Sequence, residues 1–212
     1  MDTLKASAGA MWGQWRPDRP SRRLAQLYLG LGLYGASMAL MVRSRLGLSP
    51  WGVFHQGVAR HTGWSLGSVT IVVAVGVLLL WIPLRQRPGI GTISNALLIG
   101  VTVDATLAVL PQPDALPTRL ALLAAGITGN GLAAACYIGA GLGPGPRDGL
   151  MTGWATRYRG SLRTVRTTLE ITVLTAGWAL GGTVGVGTIL YAVSIGPLVQ
   201  RLLPPLTVSR RA

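Results

Sequence analysis

Polar and charged residues within otherwise apolar segments are the ones in this chain whose type and spacing could do chemistry. A charged side chain at bilayer depth is costly, so it marks a solute pathway or a buried partner. The candidate residues for binding a small solute are Arg147, Asp148, Asp104, Gln200, Asn95 and Tyr191. Arg147 would anchor an anionic group, while Asp104 either lines a cavity or lies near the lipid headgroups.

Catalysis is not indicated by any arrangement of residues in the sequence. A hydrolase needs a nucleophile beside a base, but His55 and His61 lie apart from any marked Ser or Cys, and no His-Glu-x-x-His metal signature occurs. The single cysteine, Cys136, excludes a disulfide or a multi-cysteine metal site within one chain. We therefore expect no enzyme activity, no cofactor and no bound metal.

The elements that must position the candidate residues are membrane helices. Half of the 212 residues are hydrophobic and only 12% are charged. Six apolar runs come near the ~20 residues that span a bilayer core. The predicted spans are 24–42, 66–84, 89–110, 119–141, 164–183 and 185–204. The fifth contains Arg166 and Glu170, four residues apart, which suit either a structural ion pair or a proton relay.

The net charge of +13 is distributed as membrane topology requires. With the N-terminus inside, fifteen of the nineteen Lys and Arg fall on one face of the membrane and four on the other. This positive-inside pattern predicts a bacterial inner-membrane protein with both termini in the cytoplasm. The expected partner is the lipid bilayer and not a nucleic acid, because the loops are too short to hold a soluble domain.

A repeat with a period of 96 residues runs through most of the chain. Residues 89–100 return as 185–196 with seven identities in twelve, and the same offset pairs Gly30 with Gly126. This indicates two copies of one fold unit. The predicted organisation is a basic tail at 1–23, repeats at 24–111 and 119–204, and a second tail at 205–212.

Three spans per copy is an odd number, so the second copy is expected to be inverted relative to the first. We predict an all-α membrane protein of six transmembrane helices in two inverted three-helix repeats. Inverted repeats are typical of secondary transporters, whose site forms between the halves near the midplane. The expected function is that of a small transporter for a polar or anionic solute. The alternative is a non-transporting scaffold or accessory component of a partner complex, with a tightly packed centre.

A short segment of mixed character lies between the first and second spans of each copy, beginning at Pro50 and at Pro146. Each proline suits the first turn of a helix. If the two short helices dip inward, their N-termini approach the bundle interior from opposite sides and favour an anionic group. Alternatively, they lie flat at the membrane interface, with Trp51, Phe54 and Trp154 as anchors.

Small side chains recur every four residues in the third and sixth predicted spans. These stripes are Thr92, Ala96 and Gly100 in one span and Thr188, Ala192 and Gly196 in the other. Small residues let helix backbones approach closely in lipid, so we predict that these two spans cross each other.

Several of these segments resemble the YczE-type membrane proteins of the YczE/YyaS/YitT group. The likeness covers about residues 25–204, and its most specific part is the Gly-Pro-Gly-Pro-Arg-Asp-Gly string at 143–149. The resemblance implies a bacterial integral membrane protein and supplies no substrate. Relatives often carry an acid where this chain has Gly52, so a pair of acids on the two short helices is not expected here.

Overall fold

The structure is a computed structural model that describes residues 19–208. Within this range the chain forms eight α-helices and no strand, which confirms the all-α class. The helices are α1 (Pro20–Ser44), α2 (Pro50–Thr62), α3 (Leu66–Leu79), α4 (Ile90–Val109), α5 (Leu116–Ala140), α6 (Pro146–Arg157), α7 (Leu162–Ala179) and α8 (Val186–Leu206).

Four of these helices, α1, α4, α5 and α8, are long and apolar enough to cross a membrane. The consecutive helices α2 and α3 meet at a bend of 112° and pass the same test together, which makes up to five crossing units. Two of the six predicted spans differ from expectation: α3 has only 14 residues, and α7 keeps the polar residues of 164–183.

The predicted tails overlap the two end helices. Residues 20–23 already belong to α1, and α8 extends to Leu206. The rest of the tails, residues 1–18 and 209–212, lies outside the described residues.

Helix direction alternates through the bundle. Near the start of α1, which we call the N-terminal end, Arg23 donates hydrogen bonds of 2.8 Å to the carbonyls of Ala140 and Val208. At the other end, which we call the far end, the Ser44 carbonyl accepts a hydrogen bond of 2.8 Å from Arg119 Nε. Helices α1, α4 and α7 therefore run toward the far end, and α3, α5 and α8 run back.

Helices α1 and α5 form the centre of the bundle and cross at two glycines. A Cβ on Gly30 would lie 3.2 Å from the Ala133 carbonyl oxygen, and one on Gly126 would lie 3.0 Å from the Ser37 carbonyl oxygen. Larger side chains would separate the backbones. The two contacts are related by the 96-residue offset, with the partners exchanged. Helix α4 packs on α1, and α8 packs in the same way on α5.

The irregular segments that precede the short helices are held by the first turns of α4 and α8. Gly91 N donates to the Leu142 carbonyl at 2.9 Å, and Gly187 N donates to the Leu46 carbonyl at 2.7 Å. The 96-residue offset relates the two donors, Gly91 and Gly187, and likewise the two acceptors, Leu46 and Leu142, so each bond joins one copy to the other. Each copy of the repeat therefore fixes the loop that leads into the short helix of the other copy.

The predicted crossing of the third and sixth spans is wrong. Helix α4 packs on α1 and α3, whereas α8 packs on α5. Gly100 packs closely against α3, since an added Cβ would lie 2.5 Å from the Gly67 carbonyl oxygen. A Cβ on Gly196 would meet nothing within 4 Å, and Ala192 is exposed while Ala96 is buried. The stripe of α4 thus permits contact with α3, and the stripe of α8 does not have an equivalent contact with α7.

We predict that Gly100→Ala lowers the stability of the purified protein by about 1–3 kcal/mol, because the new methyl group overlaps the Gly67 backbone. The matched control is Gly76→Ala in α3, where an added Cβ meets nothing within 4 Å. There the better helix propensity of alanine should leave stability unchanged or raise it by up to about 1 kcal/mol. Thermal unfolding in detergent measures both. Equal unfolding temperatures would contradict the close crossing of α3 and α4.

Candidate functional site

Two adjoining cavities lie between the first and second copies of the repeat. The first has a volume of about 60 Å³ and is bounded by α1 to α6. The second has a volume of about 190 Å³ and extends between α7 and α8. Five residues line both: Tyr34, Ser49, Trp51, Asn130 and Arg147. Because they share these walls, we treat the two cavities as one central cavity.

Both short helices begin at the central cavity. Ser49 caps α2 by accepting a hydrogen bond of 3.1 Å from Gly52 N, and Pro146 occupies the first turn of α6. The second residues of these helices are Trp51 and Arg147, which the 96-residue offset relates to each other. Because Trp51 is only 7% exposed and lines the cavity, it does not serve as an interfacial anchor. This favours short helices that dip inward.

Arg147 and Asp148 are neighbours in sequence but have different partners. The Arg147 guanidinium lies over the Tyr34 ring, 5.4 Å from its centroid, in a cation–π contact. It forms no hydrogen bond or ion pair with another residue in the described range 19–208. The Asp148 carboxylate accepts a hydrogen bond from the Tyr137 hydroxyl. The positive charge of Arg147 is therefore not neutralised by its neighbour.

Two asparagines and two tyrosines lie around the central cavity at positions related by the offset. Tyr191 donates a buried hydrogen bond of 2.9 Å to Asn130 Oδ1. The equivalent positions in the first copy are Asn95 and Tyr34, which line the first cavity. Gln200 lines the second. Five of the six candidate residues, all except Asp104, thus surround the central cavity, and their role in binding stays a prediction.

Asp104 lies elsewhere, and its expected place in the lining of this site is wrong. One carboxylate oxygen accepts a hydrogen bond of 2.8 Å from Gly67 N, and the other accepts one from Ser65 Oγ. The carboxylate therefore caps the start of α3 at the far end, where the unpaired N–H groups and the positive end of the helix dipole favour an anion. Asp104 joins α4 to α3 and does not line either of the two cavities.

Four of the residues that line both cavities were not predicted from the sequence: Tyr34, Ser49, Trp51 and Asn130. The offset could have found three of them, because it relates Tyr34 to Asn130 and Trp51 to Arg147. Arg166 and Glu170 also line the second cavity and form an ion pair of 3.1 Å between Nε and Oε1. Within residues 19–208 there is no group of three His, Cys, Asp or Glu suited to a metal ion.

Residues 21–204 match a family that is described as a family of unknown function, DUF6198. The chain belongs to the DUF6198 family. An uncharacterized protein of Haemophilus influenzae is 40% identical over 182 residues, which cover 86% of this chain and 84% of the relative.

Two relatives from Bacillus subtilis confirm the resemblance to the YczE and YyaS proteins. The uncharacterized membrane protein YczE is 34% identical over 187 residues, covering 84% of this DUF6198 chain and 83% of YczE. The uncharacterized protein YyaS is 24% identical over 184 residues, covering 84% of the chain and 92% of YyaS. No solved structure matches the chain.

The apolar surface of this DUF6198 protein agrees with a membrane environment. Leu29, Val109 and Ile189 are large apolar side chains that remain exposed on three of the long helices. In water such a surface would be unusual, whereas lipid tails solvate it. Together with the membrane protein YczE among the relatives, the long apolar helices identify an integral membrane protein in contact with the bilayer.

We predict that Asp104→Ala destabilises this DUF6198 protein by about 1–2 kcal/mol, because the change removes the hydrogen bonds of the carboxylate to Gly67 N and Ser65 Oγ at the start of α3. Asp114→Ala is the matched control, since Asp114 is exposed in the segment between α4 and α5. Apparent unfolding temperatures in detergent compare the two variants. If Asp104→Ala unfolds at the same temperature as Asp114→Ala, the carboxylate does not hold α3 in place.

Proposed function

We propose that this protein is a small solute transporter of the bacterial inner membrane, with six spans in two inverted halves and a site in the central cavity. The observation that carries the proposal is that the two short helices, one from each half, begin at the same cavity. A scaffold would instead be expected to have a tightly packed centre. In transporters built from inverted repeats, broken helices end near the midplane and present their termini to the substrate.

The six-span arrangement draws support from the lengths of α3 and α7. Helix α3 is followed by successive turns that end at Arg85. The segment from Leu66 to Arg85 therefore has about the length needed to cross a thin bilayer core. Helix α7 has 18 residues and runs from the N-terminal end to the far end. Its ion pair, Arg166 with Glu170, lies against the second cavity, which lowers the cost of charges at this depth.

The inverted relation of the halves draws support from contacts that recur with exchanged partners. The contact of Gly30 with Ala133 recurs as Gly126 with Ser37, and the bond from Gly91 to Leu142 recurs as the bond from Gly187 to Leu46. Such exchange is what a two-fold axis produces. Since α1 and α5 run in opposite directions, the two-fold axis is perpendicular to the helices. In a membrane, such an axis lies in the plane of the bilayer.

One difference between the two halves suggests how transport works. At the far end α3 packs on α4 through Gly67 and Gly100, and Asp104 caps α3. At the N-terminal end the equivalent helices α7 and α8 lack that packing in the described structure, and the second cavity lies between them. We propose that this state is closed at the far end and open at the N-terminal end.

A second state follows if the halves exchange conformations. In that state α7 would close on α8 near Gly196, where the structure leaves open space, and α3 would leave α4 near Gly100. The central cavity would then face the far end. Gating of one repeat against the other around a fixed site is the mechanism of alternating access.

Disulfide crosslinking tests this exchange in a Cys136→Ala background, which removes the single native cysteine. The pair Ser65→Cys and Asp104→Cys should crosslink readily, because Ser65 Oγ donates to Asp104 in this state. The pair at the equivalent positions, Ser161→Cys and Gln200→Cys, should also crosslink in membranes, because α7 reaches α8 in the second state.

The control for these crosslinks is the mixed pair Ser65→Cys and Gln200→Cys, whose members lie at opposite ends and should never crosslink. Band shifts on non-reducing gels measure all three pairs. If the first pair crosslinks and the Ser161–Gln200 pair does not, the protein stays in one state. The transport proposal would then be wrong, and a static membrane scaffold would be the better account.

The topology gives a separate prediction. Because fifteen of nineteen basic residues fall on one face, both termini should be cytoplasmic. Fusions of alkaline phosphatase and of green fluorescent protein to residue 212, and to residue 1 behind a linker, report the side of each terminus. We expect fluorescence and no phosphatase activity at both ends. Phosphatase activity at either end would contradict the six-span topology.

A further inference from the structure

The charged side chains around the central cavity are two arginines, Arg147 and Arg166, and two acids, Asp148 and Glu170. Glu170 is paired with Arg166, and Asp148 accepts from Tyr137 in the first turn of α6, where the helix dipole offsets its charge. Among residues 19–208, Arg147 contacts the ring of Tyr34 and forms no hydrogen bond or ion pair. Of the residues that the structure describes, no other charged side chain lines the first cavity. Arg147 therefore lacks a hydrogen-bonded counter-ion among the described residues, and a ligand with one negative charge would supply it.

A second donor lies on the other short helix. Trp51 is 7% exposed, and its indole Nε1 is buried without a hydrogen-bond partner among the described residues. A buried N–H group without a partner costs free energy, so an acceptor in the cavity would stabilise it. Trp51 lines both cavities, as does Arg147. An acceptor bound between the two short helices can thus receive a charged hydrogen bond from one and a neutral hydrogen bond from the other.

One side of the first cavity is apolar. It is formed by side chains of α1, α3 and α4, namely Met38, Met41, Val73, Ala74, Val77 and Ile99, while the remaining walls include the polar residues Ser49, His55, Thr70, Asn95 and Asn130. An apolar lobe beside a pair of donors fits a ligand with a charged head and a short hydrocarbon tail. The volumes of about 60 and 190 Å³ limit that tail to a few carbon atoms, since a cavity of about 150 Å³ holds a molecule the size of benzene.

The approach from the far end is also basic. A third cavity there, of about 280 Å³, is lined by Arg43, Arg45 and Arg60 and by no acidic side chain. It shares Met41 with the first cavity, so the two lie on either side of one side chain. A cleft lined by charges of one sign raises the local concentration of ions of the opposite sign. This end therefore attracts anions toward the closed gate.

We infer that the central cavity binds a small monocarboxylate, with the carboxylate between Arg147 and the Trp51 indole N–H and the hydrocarbon tail in the apolar lobe. The planar guanidinium matches the two oxygens of a carboxylate better than it matches a spherical anion. This inference rests on the same cavity as the proposed transport function and adds the class of its substrate.

Binding of sodium butyrate to the detergent-solubilised protein tests the inference by isothermal titration calorimetry. The comparison probes are butyramide, which has the same tail without charge, butylammonium chloride, which has the opposite charge, and sodium chloride at equal ionic strength. We expect butyrate alone to bind. Arg147→Gln should weaken butyrate binding about 10- to 100-fold, and Trp51→Phe, which keeps an aromatic ring, about tenfold. Arg163→Gln is the matched control, because Arg163 is exposed on α7 and should leave affinity unchanged.

The outcomes separate this inference from the transport proposal. Equal binding of chloride would assign the site to inorganic anions, and equal binding of butyramide would assign it to neutral solutes; either result overturns the inference. Butyrate affinity that is unchanged in both Arg147→Gln and Trp51→Phe would place the carboxylate elsewhere and overturn it too. Butyrate binding without a crosslink between positions 161 and 200 keeps the inference and ends the transport proposal. A crosslink between positions 161 and 200 without butyrate binding keeps the transport proposal and overturns the inference.

Discussion

Backbone groups inside a membrane must find hydrogen-bond partners within the protein, because lipid offers none. This constraint applies most strongly to the two irregular segments that precede α2 and α6. Their carbonyls at Leu46 and Leu142 accept from Gly187 N and Gly91 N in the first turns of helices of the other half. Thr92 Oγ1 adds a bond of 2.7 Å to the Pro144 carbonyl. These bonds fix where the short helices begin, and thereby place Trp51 and Arg147 at the central cavity.

The repeat and its consequences could be predicted from the sequence, because identity at a fixed offset is visible in residue types. The short helices and the grouping of Arg147, Asp148, Asn95, Tyr191 and Gln200 follow from it. The position of Asp104 could not be predicted in the same way. Its depth indicates that a carboxylate needs a partner, but that partner is the backbone N–H of Gly67, and a backbone group has no signature in sequence.

The stripes of small residues failed as a guide for a related reason. A glycine indicates that another backbone can come close, but it does not indicate which helix supplies that backbone. Gly100 lies against α3, whereas Gly196 has open space in this state. The sequence leaves open whether Trp51 lies at the membrane interface or inside the bundle, because tryptophan is common in both places. The packing of α2 against the bundle shows that its side chain is buried.

The dependence of each half on the other bears on the ancestry of the chain. The Leu46 carbonyl of the first half is satisfied by the second half, and the Leu142 carbonyl of the second half is satisfied by the first. A single half would therefore leave the carbonyl of its own loop without this hydrogen-bond partner. In the inverted arrangement proposed above, an ancestor encoding only one half would have needed two copies inserted in opposite orientations, which assemble as an antiparallel homodimer. Fusion of the two copies, followed by divergence of the charged loops, would then have fixed the orientation of each.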